Sequence, residues 1–176
     1  MARQVVDWDS YFLGLACYVA IRSKDEQTQN GAVIVDEHHR ILGLGYNGFP
    51  PGIDDSALPA GRPGKYPYMS HAEANALSNM LVDSRLYRCT LYCTMYPCED
   101  CAKRILMHGI RKVVYIDPRR NEHSEKMFRM AGVECLRHDR SLSKTLDDFS
   151  RVVDERRTSA SDPARIDRPL PPETPA

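Results

Sequence analysis

The spacing of apolar and polar positions divides the chain into helical and extended stretches. Trp8 to Ser23 carries Phe12, Leu15, Ala16 and Val19 at helical spacing, with Asp9 or Ser10 placed to cap it. Gly31 to Asp36 and Ile41 to Tyr46 are short β-rich runs joined by Glu37-His38-His39-Arg40, the pattern of a hairpin. More than twenty residues without clear periodicity follow, from the Gly/Pro-rich stretch at Gly45–Gly52 to Ser70. Loops of that length in compact domains are usually functional, and Tyr66 and Tyr68 argue that this one packs. A helix is expected from His71 to Val82 with Ser70 as its cap, then a strand from Arg88 to Tyr96 and a helix from Pro97 to Met107. Lys112 to Asp117 reads as a strand, Glu122 to Ala131 as a helix stopped by Gly132, and Val133 to Leu136 as a last strand. A further helix is expected over Leu142 to Val153. Strands alternating with helices after an opening hairpin give a mixed α/β sheet with helices on its faces.

Composition narrows the picture. The chain has 176 residues, enough for one domain, here expected over 1–154; the Arg-, Ser- and Pro-rich remainder, 155–176, buries little and is expected to form a flexible tail. Lys plus Arg and Asp plus Glu number 24 each, so the net charge is zero, which favours a small-molecule substrate over a long nucleic acid. No apolar run approaches the length of a membrane span, and a cytoplasmic setting is expected. Six cysteines in that setting point to metal ligands or buried thiols rather than disulfides.

Two short signals carry the chemistry, His71-Ala72-Glu73 and Pro97-Cys98-Glu99-Asp100-Cys101. One imidazole and two thiolates fill three corners of a zinc tetrahedron and leave the fourth for water, the arrangement of a catalytic rather than a structural zinc. Cys98 and Cys101, three apart, share one helix face, and a helix start favours thiolate over thiol. Glu73, two residues from His71, does not share its face and is better placed to move a proton than to bind metal. His38 and His39 are read as solvated turn residues and Cys17 as a core-edge residue. Cys89 and Cys93 have same-face spacing on their strand, which leaves open a closed four-cysteine site with Cys98 and Cys101. Arg22-Ser23-Lys24-Asp25 is either a solvated helix end or a phosphate grip, and Asn47 either a turn residue or an amide offered to a sugar or base.

H-x-E followed by P-C-x-x-C is the signature of zinc nucleobase deaminases. With YFLGLACYVAIRSKD, GAVIV, GYNGFPPG, KYPYMSHAEANAL, YPCEDCAKRIL and FRMAGVE, the chain from Trp8 to about Val153 resembles the cytidine/deoxycytidylate deaminase superfamily, and within it the dCMP deaminase branch. The resemblance implies a cytidine-deaminase-like three-layer α/β/α sandwich around a mixed five-stranded sheet. It implies one catalytic zinc per subunit and conversion of dCMP to dUMP and ammonia. By position it makes His71, Cys98 and Cys101 the zinc ligands and Glu73 the proton shuttle. Asn47 and the Ala72 N–H would contact the nucleoside. Arg22, Ser23 and Lys24 would meet the 5′-phosphate, with Arg119 and Arg120 as further candidates. It also implies a homo-oligomer, commonly a hexamer, with dCTP activation and dTTP inhibition at a second site around Gly45, Tyr46 and Gly48, with Mg2+ accompanying the triphosphate. Other readings are a deaminase of 5-substituted dCMP or free cytidine or deoxycytidine, a tRNA adenosine deaminase, and a non-catalytic zinc module.

Overall fold

The computed structural model describes residues 5–138 and positions 147, 150, 151, 153 and 154. Of the helix expected over Leu142 to Val153, only 147, 150, 151 and 153 are described, all as helix; the tail 155–176 lies outside the described residues. The opening helix α1 (Trp8–Ala20) is capped by Asp7, whose carboxylate accepts the Ser10 N–H, rather than by Asp9 or Ser10. Asp9 lies inside the first turn and accepts the Tyr92 hydroxyl at 2.7 Å.

The hairpin forms from β1 (Gly31–Val35) and β2 (Ile41–Tyr46), and His39 sits in its turn at a φ of 61°, stacked on Trp8. Strands β3 (Thr90–Cys93), β4 (Lys112–Tyr115) and β5 (Glu134–Arg137) complete a mixed sheet of order β2-β1-β3-β4-β5. The pairs β2–β1 and β1–β3 are antiparallel; β3–β4 and β4–β5 are parallel, joined through α3 (Glu99–Met107) and α4 (Glu122–Met130). Helix α2 (Ala72–Ser78) lies between the hairpin and β3 in the chain.

Alternation along the strands separates two cores. Val33, Val35, Tyr92 and Val114 face α1 and pack on Phe12, Leu13 and Ala16. Ala32, Ile34, Leu91, Cys93, Val113 and Tyr115 face the other way, against residues of α2, α3 and α4. The central strands are therefore buried on both sides, as parallel sheets require. Among the described residues, no helix is long and apolar enough to cross a membrane.

The register gathers several chain segments at one end of the sheet. Gly31 pairs with Tyr46, Ala32 with Cys93, and Cys93 with Tyr115. Asn30, Asn47, Met95 and Arg119, which flank those strand ends, therefore fall close together. Glycines permit close approach of the helices behind that end: a Cβ on Gly31 would stand 1.9 Å from the Ala16 carbonyl oxygen of α1, and one on Gly45 would stand 2.2 Å from the Ala76 nitrogen of α2.

Helix α2 is shorter than the His71 to Val82 reading. The Ser70 hydroxyl donates to Asn75 Oδ1 at 2.6 Å instead of capping, and Leu81, which fits the helical spacing, is 98% exposed in the following turn with nothing to pack against. Pro97 likewise precedes α3, and Cys98 takes the N-cap position.

The long segment between Gly48 and Ser70 is anchored at both ends and in the middle. Gly48 and Ser70 exchange backbone hydrogen bonds, and two short 3-10 turns, Asp55–Ala57 and Tyr66–Tyr68, break its length. Lys65 Nζ lies 2.5 Å from Asp25 Oδ1, with 3% and 4% of the two side chains exposed. Burial alone would raise the Asp25 carboxyl, but the Lys65 ammonium and the Gln27 and Thr28 N–H groups outweigh it and hold it below its usual value.

Gly45→Ala should cost about 1–3 kcal/mol through overpacking against α2, read from urea denaturation. Asp25→Ala, which strands a buried ammonium, should cost about 3–5 kcal/mol in the same assay. Because the folded Asp25 pKa lies below its unfolded value of about 3.9, its contribution is complete above that value. It is lost as pH falls through the lower folded value, so the gap between wild type and Asp25→Ala should narrow in acid.

Candidate active site

Two helix starts converge on the metal donors. His71 is the N-cap of α2 and Cys98 the N-cap of α3, and neither spends its side chain on capping its own helix. The imidazole and thiol are thereby left for other partners. His71 Nδ1 stands 3.3 Å from Cys98 Sγ and 3.5 Å from Cys101 Sγ, and the three donor atoms all lie within 4.8 Å of one another. Zinc with N and S ligands at about 2.0–2.3 Å in tetrahedral geometry would hold such atoms about 3.6 Å apart, so the donor set fits zinc. The turn into α3 is fixed by Ser124, whose hydroxyl donates to the Pro97 carbonyl at 2.8 Å, and by Asn121, whose amide donates to Glu99.

The donors are strongly coupled. The hydrogen bond from the Cys101 thiol holds the Cys98 sulfur down at about 4, with His71 adding to it. Cys101 is pushed up by the same bond, and His71 is raised to about 8, chiefly by its bond to Cys98. Glu73, 6% exposed in the first turn of α2, has its carboxyl raised by burial. A carboxyl shifted in this direction is suited to holding and releasing a proton.

Among the described residues, the four-cysteine site does not form. Cys89 Sγ donates to the Ser84 carbonyl and Cys93 Sγ to the Val114 carbonyl, both in the apolar core, and neither joins the group of metal donors formed by His71, Cys98 and Cys101. Cys17 is likewise buried, its thiol pushed up to about 11 by desolvation.

A cavity of about 350 Å³ opens beside the donors, within the size range of small-molecule sites. His71, Glu73 and Cys98 line it together with Asn47 and Arg119, which the sequence singled out. Ala72 stands between His71 and Glu73 as the first residue of α2, where its N–H has no partner within the helix.

Asn47 is orientationally fixed. Its amide nitrogen donates to the Thr28 carbonyl at 2.9 Å and to Asp25 at 3.3 Å, and its Oδ1 accepts the Asn30 N–H at 2.7 Å. Both amide hydrogens are spent, so what it still offers is acceptor capacity on the oxygen.

Arg22, Ser23 and Lys24 do not line this cavity. The Ser23 hydroxyl donates to the Asn47 carbonyl at 2.8 Å, and Lys24 pairs with Asp55 on the wall of a neighbouring cavity of about 440 Å³. Tyr46 and Gly48 line that second cavity, whereas Gly45 packs against α2. Asp25, the last residue of the Arg22-Ser23-Lys24-Asp25 cluster, lines the first cavity, as do Thr28, Arg62 and Lys65, which the sequence reading did not single out. For the missed residues the only hint was position: Thr28 follows the RSKD run and Lys65 opens KYPYMSHAE.

Residues 6–117 match the family described as the cytidine and deoxycytidylate deaminase zinc-binding region. The chain is similar to the deoxycytidylate deaminase of Homo sapiens, 36% identical over 158 residues, covering 84% of this chain and 88% of that one. It is 42% identical over 123 residues to the deoxycytidylate deaminase of Mycobacterium phage D29, covering 62% of this chain and 94% of the phage protein. Among solved structures, the dCMP deaminase of cyanophage S-TIM5 in complex with dCMP and dUMP superposes with a TM-score of 0.62 at 26% identity, covering 77% of this chain and all of that one. The matched span runs through both helix starts and the buried carboxyl between them, and on these grounds the chain belongs to the cytidine and deoxycytidylate deaminase family.

Proposed function

We propose that the chain hydrolyses dCMP to dUMP and ammonia, a step that feeds dTMP synthesis. The observation that carries this reading is the meeting, on one cavity wall, of a buried carboxyl, Glu73, with the His71 and Cys98 donors. The nucleotide is favoured by the relatives' activity and by the cations around the same cavity.

His71, Cys98 and Cys101 would hold zinc, which would act as a Lewis acid and make water acidic enough to react near neutral pH. Glu73 takes a proton from the attacking water and delivers it to N3 of the cytosine ring, which makes C4 more electrophilic. The water oxygen bonds to C4. Glu73 then moves the remaining proton of the new C4 hydroxyl to the exocyclic nitrogen, the C4–N bond breaks as the C4 carbonyl forms, and ammonia leaves. The first-turn N–H of Ala72 orients the pyrimidine, and the Asn47 oxygen accepts a sugar hydroxyl.

The same reading extends to regulation. The second cavity, lined by Lys24, Tyr46, Gly48 and Phe49, would take dCTP as activator or dTTP as inhibitor, with Mg2+ on the triphosphate. A cytoplasmic homo-oligomer, a hexamer by family likeness, belongs to this proposal.

Ammonia release should be fast with dCMP and slow with deoxycytidine and dCTP; a preference for the unphosphorylated nucleoside would overturn the nucleotide reading. Glu73→Gln should keep one zinc per chain by metal analysis and lose turnover by about 10²–10⁴-fold. Cys98→Ala should lose both metal and activity. Titrations with dCMP should change shape when dCTP or dTTP is added, as linked sites require; curves unaffected by either would remove the regulatory part.

A further inference from the structure

Four cationic side chains line the cavity that holds Glu73: Arg62, Lys65, Arg119 and Arg120. Three of them are already matched by carboxylates. Lys65 is buried against Asp25, Arg119 Nε lies 2.9 Å from Asp117 Oδ1, and Arg120 lies 3.0 Å from Glu125. The fourth, Arg62, has no carboxylate within ion-pairing distance among the described residues. Its guanidinium donates to the Thr28 hydroxyl, and Thr28 lines the cavity too. A guanidinium has five N–H donors in a planar fork that suits phosphate oxygens, so most of this one's capacity is unspent. The Thr28 hydroxyl accepts from Arg62 and keeps its own hydrogen to give.

The position of Arg62 is held from the chain on either side of it. Three residues on, Lys65 is locked into its buried ion pair, and the Lys65 N–H donates to the Gly61 carbonyl at 3.1 Å. Thr28 is tied down by its own N–H, which donates to Asp25 at 3.2 Å. Two donors, one of them an unneutralised cation, thus face the cavity from two anchored stretches that meet at Asp25.

We infer that Arg62, with the Thr28 hydroxyl beside it, is the residue that recognises the 5′-phosphate of the nucleotide and so sets the preference for nucleotide over nucleoside. The inference rests on the nucleotide reading above and moves the phosphate from Arg22, Ser23 and Lys24, none of which lines this cavity, to the long segment between Gly48 and Ser70. Arg119 and Arg120 remain neighbours whose charge is already balanced.

The test compares Arg62→Gln and Thr28→Val with wild type, using kcat/KM for dCMP and deoxycytidine and calorimetric affinities for dUMP and deoxyuridine. Loss of one charged hydrogen-bonding partner should reduce the dCMP-to-deoxycytidine preference about 10–100-fold in Arg62→Gln. The dUMP-to-deoxyuridine affinity ratio should fall in parallel, and Thr28→Val should move both ratios the same way by less. Arg62→Lys should recover part of the loss. Equal losses on phosphorylated and unphosphorylated ligands, or wild-type ratios in Arg62→Gln, would overturn the assignment while leaving dCMP deamination standing. A wild type with no preference for dCMP or dUMP would instead overturn the nucleotide reading and this assignment with it.

Discussion

The closeness of α2 to the hairpin is the constraint on which the site depends. His71 and Glu73 both project from the start of that helix, and the helix lies so near β2 that a single added carbon at Gly45 would meet its backbone nitrogen. A helix seven residues long has little stability of its own. Its direction is set by this contact and by two amide side chains one turn apart: Asn75 donates to the Tyr46 carbonyl at 2.7 Å and Asn79 to the Leu44 carbonyl at 2.8 Å. Only with α2 so held does the imidazole reach the sulfurs at the head of α3, and only then is the Glu73 carboxyl buried beside them rather than solvated.

The same end of the sheet sorts charge economically. Mixed pairing, antiparallel on one side of β3 and parallel on the other, lets four connections from distant parts of the chain meet over the sheet's rim. Ligands of open α/β sheets commonly sit at such a reversal of strand order. The metal donors and Glu73 lie at the helix starts, and the cationic side chains of the cavity lie on loops. An amphoteric ligand, with a ring to be protonated and an anionic group to be gripped, suits that separation.

The sequence revealed the elements and the metal donors because both are written locally. Alternation identified the hairpin and the later strands, and His71, Glu73, Cys98 and Cys101 stand in two short runs whose residue types leave few other uses. Boundaries were less legible where apolar residues fell in turns: Leu81 and Val82 continue the helical spacing of α2, yet the chain has already left the helix. The Asp7 cap was missed because Asp9 and Ser10 are equally good cappers by type, and only the fold shows that Asp9 is engaged by Tyr92. The pairing of Lys65 with Asp25 and the place of Arg62 could not be read in advance. Their roles depend on the path of a long segment without periodicity, and a lysine forty residues from an aspartate carries no sign in one dimension that the two are buried together.

The amides that steer α2 act also on the outer margin of the sheet. Strand β2 lies at that margin, and such strands ordinarily present bare carbonyls onto which another chain's strand can add. Here the Leu44 and Tyr46 carbonyls are already occupied from within the molecule. A strand that added on this flank would have to share or displace these two amides, which lowers the tendency of the sheet to grow there.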